Sequence, residues 1–292
     1  MRIVVTGGSG KIGAYVVREL VAHNHRVVSA DTVRPKEPID GATFVQVDTT
    51  DMGQVVGALT FRGEVADAVI HLAAIPNVWP QNSSPPSAVW RVNALGVYHV
   101  AEACASLGIT KFVEASSINV HQFGLTKGAV APPRWPLDET MPYFTMNAYG
   151  LSKVTGEQAA RMLHNRTGAQ AISIRPALVL FPETYGALIA RMKARKTDWL
   201  TFAYSDVRDL AVAFRLAVEK NDLGCEALYV VNDDPFFDEP IIPILRKNYR
   251  DGRDREFAMK DGASDVTNAK AKRVLGWKPE HNWRDEDTER GA

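Results

Sequence analysis

The first twenty residues, MRIVVTGGSGKIGAYVVREL, constrain the fold more than any other stretch of the chain. Ile3, Val4 and Val5 form an apolar β-type run; Gly7, Gly10 and Gly13 follow at three-residue spacing, and an amphipathic helical pattern begins there. A dinucleotide-binding α/β fold needs this order. Its turn must be tight, its backbone must approach a pyrophosphate closely, and its helix must pack near the strand, and a side chain would obstruct each of these. The helix N-terminus then offers free N–H groups to an anion. A glycine triplet alone occurs by chance; its placement between strand and helix carries the inference.

The same alternation continues. RVVSAD reads as a second strand ending at Asp31, 18 residues beyond Gly13, close to the ~20 at which an acidic side chain bonds the adenosine ribose hydroxyls of NAD. A carboxylate there repels a 2′-phosphate, which favours NAD over NADP, although Arg34 keeps the second cofactor in view. The alternative role for Asp31 is a strand-end cap. ATFVQVD predicts a third strand with Asp48 and Thr49 at its end, DMGQVVGAL a short helix, and ADAVIHLAA a fourth strand, apolar throughout as a strand between two helix layers is. His71, before the end of that strand, reads as a hydrogen-bonded structural histidine rather than a catalyst. Residues 75–87 read as a Pro-, Asn- and Ser-rich surface loop, followed by a helix over 88–107. That helix carries Asn93 among apolar neighbours, either to bond backbone or to position the catalytic helix. KFVEASS predicts a fifth strand presenting Ser116 and Ser117 at its carboxyl end, where ligands gather in open parallel sheets.

The segment TMPYFTMNAYGLSKVTGEQAAR sets Tyr149 and Lys153 four residues apart in a helical pattern, hence on one face. A phenol with an ordinary pKa near ~10 is a poor base at neutral pH, but an adjacent ammonium favours its ionised form. Such a pair can move a proton to or from an alcohol. The common alternative is an ordinary surface pair, and the glycine turn at the start of the chain weighs against it. A sixth strand, AQAISIRPALVL, ends at Arg175-Pro176, beyond which the alternation turns irregular: helices near 186–195, 206–219, 239–247 and 264–274, and a strand at EALYVV.

Composition excludes several classes. The 292 residues carry 34 Lys+Arg and 34 Asp+Glu, so there is no basic excess for nucleic acid or an anionic membrane. No apolar run approaches the ~18 residues of a membrane helix. Strand-like sequence from Arg2 leaves no room for a secretory leader, so a cytoplasmic protein is expected. Cys104 and Cys225 lack metal-ligand spacing and read as reduced thiols; no metal site is readable.

With the glycine loop, Asp31, the HLAA strand end, the paired serines and Tyr149/Lys153 in order, the chain resembles the extended short-chain dehydrogenase/reductase superfamily, in its NAD-dependent epimerase/dehydratase branch. The likeness runs from the first strand through Arg175-Pro176 and resumes at DVRDLA (206–211) and LGWKP (275–279). It implies an α/β fold, a Rossmann-type doubly wound parallel sheet over 1–176 including the catalytic helix. A small C-terminal α/β substrate-binding region over 177–292, not an independent domain, would follow, with 281–292 expected to lack fixed structure. It implies that Tyr149 is the general acid/base, that Lys153 lowers its pKa and bonds the nicotinamide ribose, and that Ser117 bonds the reacting hydroxyl, with Ser116 as the fallback. Gly7, Gly10, Lys11, Ile12, Gly13, Asp31, Asp48, Thr49, Leu72, Ala73, Ala74, Asn93, Ala115 and Pro176 would contact or frame the dinucleotide, together with Tyr149 and Lys153. Ile75, Ser117, Asn119 and Arg191 would face the substrate. Helices 88–107 and 143–167 would pair across a two-fold axis in a homodimer.

Departures from that branch narrow the chemistry. Its dehydratases carry Asp-Glu directly after the catalytic Ser/Thr, where this chain has Ile118 and Asn119, so dehydration is disfavoured. Its nucleotide-sugar enzymes place asparagine shortly after the Arg-Pro, where this chain has Leu178, and have a longer C-terminal region. A free sugar, sugar acid or polyol fits better, in an outline similar to uronate dehydrogenases. Arg191 would then hold a carboxylate, its alternative being a solvated cation, and Trp79, Trp135 and Phe123 would stack on sugar or serve packing. An NAD-dependent dehydrogenase stands first, an NAD-dependent epimerase second, and a non-catalytic NAD(P)-binding regulator last.

Overall fold

The computed structural model describes residues 1–76, 84–123, 130–194, 201–248 and 256–291. The chain alternates β1 (Arg2–Thr6), α1 (Lys11–Ala22), β2 (Arg26–Asp31), β3 (Ala42–Gln46), α2 (Met52–Leu59), β4 (Ala68–His71) and α3 (Pro86–Trp90). A π-helical turn over Arg91–Leu95 leads into α4 (Gly96–Leu107), then β5 (Lys111–Ala115), β6 (Arg134–Trp135), α5 (Ala148–Thr167) and β7 (Gln170–Arg175). The rest comprises β8 (Leu178–Leu180), α6 (Tyr185–Lys193), β9 (Tyr204–Asp206), α7 (Val207–Glu219), β10 (Cys225–Tyr229), α8 (Ile242–Asn248), β11 (Glu256–Phe257), α9 (Ala269–Leu275) and α10 (Trp283–Gly291).

Seven strands form one sheet in the order β10-β7-β5-β4-β1-β2-β3, and the pairings from β3 across to β7 are parallel. The order reverses between β1 and β4, and the crevice outside the carboxyl ends at that switch point is where a doubly wound sheet binds ligands. β1 and most of β4 are fully buried because helices cover both faces. Val4, Val69, Phe112 and Ala171 of the sheet pack with Val97, Val100 and Cys104 of α4 and Leu163 of α5 in one apolar cluster. Removing such area from water at ~25 cal/mol per Å2 supplies the drive that holds the helices on the sheet.

One rung of the sheet breaks this apolar pattern. Thr6 pairs with His71, His71 with Glu114, and Glu114 with Ser173, and all four are buried. Same-rung residues of neighbouring strands share a face, so a polar row crosses the core just before the strands' carboxyl ends.

The chain divides into two discontinuous compact units. The first comprises residues 1–120, 145–175 and 211–227; the second comprises 121–144, 176–210 and 228–292. The second has its own core, in which Tyr185, Tyr204, Phe236 and Trp283 are buried together. There Asp209 ties the two late motifs of the sequence: its carbonyl accepts Trp277 Nε1 at 2.8 Å and its carboxylate accepts the N–H groups of Glu280 and His281 at 3.0 Å. Asp206, Asp209 and His281 converge within 4.8 Å, but Asp206 accepts from Tyr185 and Arg208, and Asp209 bonds His281 Nδ1 at 2.7 Å, so the cluster is held together by its own hydrogen bonds.

The polar tail, for which the sequence suggested no fixed structure, is helical as α10. Trp283 anchors it by donating Nε1 to Pro235 O at 3.0 Å, and its acids meet cations, Glu286 with Arg208 and Asp287 with Lys193. A lone tryptophan in a charged run carries little periodicity, so this helix leaves no pattern in the sequence.

Candidate active site

Most of the expected site residues lie in the first unit, at the carboxyl ends of β1 to β5. Gly7 sits at φ +73°, and a Cβ there would come 2.5 Å from Ala73 N, so the strand end HLAA closes directly on the glycine turn. A Cβ on Gly13 would fall 2.0 Å from Gly7 O. These two glycines are therefore required by packing within the protein. Gly10 is different: a Cβ there meets only Gly7 O, at 3.1 Å, and it opens α1, with no side-chain cap and no acid in the first turn. Nearby Ser9 Oγ is buried without a hydrogen-bond partner. An open glycine, an uncapped helix start and an unused hydroxyl fit a pyrophosphate. Lys11 and Ile12 begin that helix.

Asp31 ends β2 with one oxygen accepting Ser9 N at 3.0 Å and the other accepting Val33 N at 3.2 Å. It thus caps the strand end and braces the glycine turn, and its carboxylate retains acceptor capacity for ribose hydroxyls. Asp48 takes Thr50 N and Oγ1 at 2.8 Å. Thr49 packs against Gly96, where a Cβ would come 2.6 Å from Thr49 Oγ1.

Asn93 lies in the π-helical turn between α3 and α4, a feature that often marks functional positions. Its Oδ1 accepts Ile75 N at 2.8 Å, and its Nδ2 donates to Ile75 O at 3.1 Å and to Ser152 Oγ at 3.2 Å. One side chain thus bonds backbone just beyond Leu72, Ala73 and Ala74 and also reaches Ser152 on the helix bearing Tyr149.

That helix, α5, starts at Ala148 rather than near 143 because Asn147 caps it, accepting Gly150 N at 2.8 Å. Tyr149 is half-buried in its first turn and Lys153 is buried one turn on. Lys153 Nζ lies 5.6 Å from the Tyr149 ring centroid and donates to Ala115 O at 2.6 Å. The two serines after β5 separate cleanly. Ser116 Oγ donates to Glu157 Oε1 at 2.5 Å, and Glu157 holds Arg175 through two 2.7 Å bonds. Ser117 Oγ instead accepts Asn119 N and Nδ2, both at 3.1 Å. A hydroxyl has two acceptor sites and one hydrogen, so Ser117 keeps its hydrogen for another acceptor, and Asn119 spends its side-chain amide on Ser117.

Two buried titratable groups lie in the polar row beneath. Burial, with the Lys153 charge nearby, pushes His71 down to about 3; its Nδ1 lies 2.7 Å from Thr6 Oγ1. It is a neutral structural imidazole. Burial pushes Glu114 up to about 7, against the opposing pull of Lys153. A carboxyl so raised from 4.5 adds stability in full below pH ~4.5, which is lost as pH rises through ~7. Glu114→Gln is therefore expected to raise Tm at pH 8, by an amount corresponding to ~1–3 kcal/mol, with the gain vanishing near pH 4.5; thermal melts across pH check this.

Neither Glu114 nor Glu157 was singled out by the sequence reading. Glu157 had a signal, standing four residues after Lys153 on the same helical face; Glu114 was the one charge inside an apolar strand. In the second unit, Pro176 is buried and Arg191 is exposed on α6. Trp135 is fully buried and stacks on Phe257, and Phe123 stacks on Phe144 at 5.0 Å between centroids, so both serve packing. Trp79 lies outside the described residues.

Comparison with known proteins places the chain among related sequences and folds. A UDP-glucose 4-epimerase of Mycolicibacterium smegmatis is 34% identical over 191 residues, 62% of this chain and 57% of that protein. An L-arabinose 1-dehydrogenase (NAD(P)(+)) of Haloferax volcanii is 34% identical over 183 residues, 60% of this chain and 65% of that protein. The matched stretch thus spans less than two thirds of the length of either relative. The solved structure of a mutated uronate dehydrogenase superposes with a TM-score of 0.70 at 21% identity, covering 99% of this chain and 84% of the other, a likeness of fold. The sequence profile described as the NAD dependent epimerase/dehydratase family matches residues 3–231, and the chain belongs to that family.

Proposed function

We propose that the protein is an NAD-dependent oxidoreductase acting on a hydroxyl of a free sugar, sugar acid or polyol. The observation that carries this reading is the grouping on one unit of Tyr149, Lys153 and a Ser117 whose hydrogen is left to donate. Tyr149 takes the proton of the substrate hydroxyl, the Lys153 ammonium favours the phenolate that receives it, and Ser117 orients the substrate oxygen by hydrogen bonding. Gly10, the start of α1 and Asp31 hold the dinucleotide. When bound, NAD supplies the nicotinamide that accepts hydride from the carbinol carbon. The similarity to an L-arabinose dehydrogenase supports a free sugar as substrate. The test is absorbance at the reduced-nicotinamide band while protein and NAD are challenged with free sugars, uronic acids, polyols and nucleotide sugars. Stoichiometric NADH from a free substrate is expected.

The similarity to UDP-glucose 4-epimerases favours a second reading, in which the same groups oxidise the substrate transiently and then reduce it from the other face. No net NADH, a cofactor that copurifies and an isomerised product would select it.

Asp31 sets cofactor preference through charge. Asp31→Ala is expected to shift the NADP-to-NAD ratio of binding constants about tenfold toward NADP, ~1.4 kcal/mol, measured by titration with each cofactor; an unchanged ratio removes Asp31 from the ribose site.

A homodimer through α4 and α5 is the assembly we favour. Tyr98 on α4 and Leu151 on α5, with Leu95 in the preceding turn, are large apolar side chains left more than a third exposed, as a surface awaiting a partner is. Tyr98→Glu with Leu151→Glu should convert the sedimenting species to monomer. No helix among the described residues is long and apolar enough to cross a membrane, in keeping with the cytoplasmic placement we favour.

A further inference from the structure

Glu114 is the most anomalous buried group of the first unit. It stands on β5 with a side chain almost wholly removed from water, and its Oε1 has no hydrogen-bond partner. A buried carboxylate oxygen left in that state costs free energy that a hydrophobic residue at the same place would avoid. The fold is nevertheless built around it. Helix α5 carries glycine at 156, and a Cβ there would meet Glu114 Oε2 at 2.6 Å. Gly156 stands three residues after Lys153, one turn along the helix, so the carboxyl occupies a notch in the helix that bears Tyr149 and Lys153. The residue following Glu114, Ala115, provides the carbonyl that receives Lys153 Nζ at 2.6 Å.

The groups acting on or paired with this carboxyl come from α5, β7 and β4, and the titratable groups of the neighbouring α4 are engaged elsewhere or neutral. Lys153 and Glu157 act on it from α5, and Arg175 and the Ser173 hydroxyl act on it from β7. On β4, His71 is its rung neighbour and is neutral. On α4, Cys104 is buried and held protonated, with a pKa pushed up to about 12, while His99 bonds Thr49 O and Glu102 pairs with Arg166. Arg175 is already engaged by Glu157 through both oxygens. The Lys153 ammonium, by contrast, receives a neutral carbonyl from Ala115 and has no carboxylate within salt-bridge distance among the described residues. The electrostatic counterpart left for it in this part of the core is Glu114.

We propose that Glu114 is a positioning residue for Lys153, a buried carboxyl that exchanges its proton in response to the lysine's charge and so sets how strongly that charge acts on Tyr149. This rests on the proposed role of the Tyr149 and Lys153 pair. With Glu114 ionised, part of the ammonium's field is compensated; with Glu114 protonated, the whole field falls on the tyrosine. As pH drops through the range where Glu114 gains its proton, Lys153 therefore acts more strongly to keep Tyr149 competent as a base. The device opposes the loss of base that acid would otherwise cause.

Coupling between two titrating groups is reciprocal, so it can be read from Glu114 without any substrate. Protein labelled with 13C at the glutamate carboxyl carbon, with the Glu114 resonance assigned by its absence in Glu114→Gln, is titrated by NMR from pH 5 to 9. In Lys153→Met, of similar length and without charge, the Glu114 midpoint is expected to rise by roughly half a unit or more. A midpoint unmoved by loss of Lys153 overturns the proposal. The second readout is kinetic: on the panel sugar that yields NADH, Glu114→Gln should move the acid limb of kcat/KM to lower pH by roughly half a unit to one unit. An acid limb that stays in place while stability changes confines Glu114 to a core role and also overturns the proposal. Failure of the catalytic reading is distinguishable, because it appears as turnover surviving in Tyr149→Phe while the coupling between Glu114 and Lys153 persists.

Discussion

Tyr149→Phe is expected to lower the rate of NADH formation ~100- to 10,000-fold, the range that a positioned general acid/base supplies, while NAD affinity stays within a factor of ~3 and Tm within a few degrees. The stability part follows from the local structure. Tyr149 is half-buried in the first turn of α5, and its hydroxyl makes no hydrogen bond to another described residue, so phenylalanine keeps the ring and leaves no buried partner unsatisfied. The cofactor part follows because the glycine turn, Asp31 and Asn93 do not depend on the phenol. Lys153→Met should also depress the rate, but it additionally releases the contact with Ala115 O, so its effect includes a displacement of the strand end. Ser117→Ala removes a hydrogen-bond donor rather than a base, and its loss should be smaller, ~10- to 100-fold. Pre-steady-state formation of NADH measures all three without interference from product release. Near-normal turnover in Tyr149→Phe would end the assignment of Tyr149 as the acid/base.

What was legible in the sequence was whatever depends on local pattern. The order of strand, glycine turn and helix at residues 2–22 follows from periodicity and from residues that lack side chains, and the structure keeps that order with β1 and α1. The spacing of Tyr149 and Lys153 needs only helical geometry, and both emerge on α5 near the end of β5. Asn93 was visible as a polar residue in an apolar helix, although its two partners, Ile75 and Ser152, were not. What was hidden depends on contacts between distant residues. The roles of Ser116 and Ser117 diverge because Glu157 reaches one and Asn119 the other, and adjacent identical residues cannot reveal that. Gly8 offers a similar case: a Cβ on it would meet Ser29 Oγ at 2.3 Å, a requirement set by a strand more than twenty residues away. The boundaries of the compact units were illegible for the same reason. Residues 121–144 join the second unit and 211–227 the first, which no composition shift announces.

Replacing Glu157 by leucine is expected to cost ~3–5 kcal/mol of stability, the largest effect among substitutions outside the glycine turn, and restoring balance by a second substitution at Arg175 should recover much of it. Both side chains are about 3–4% exposed. Glu157 Oε1 accepts Ser116 Oγ and Arg175 Nε, and its Oε2 accepts a second guanidinium nitrogen at 2.7 Å, so one carboxylate satisfies a bidentate cation and a hydroxyl in the core. Removing the acid alone leaves a buried arginine charge without its bidentate carboxylate, and the loss of that direct counter-charge dominates the penalty. Arg175→Met alone leaves the mirror fault, a buried carboxylate facing Glu114, and should cost a comparable amount. In the double variant both charges are gone and apolar groups of similar volume fill the space, so the loss should fall well below the sum of the singles. A double-mutant cycle in denaturant measures this directly, and strict additivity would mean that the pair does not act as a unit. The consequence extends to the reaction, because the same carboxylate fixes Ser116 next to Ser117 and ties Arg175, the last residue of β7, to the helix of Tyr149. The double variant, folded but without that tie, should therefore show a lower kcat at near-unchanged NAD affinity, separating what the buried ion pair does for orientation from what it does for stability.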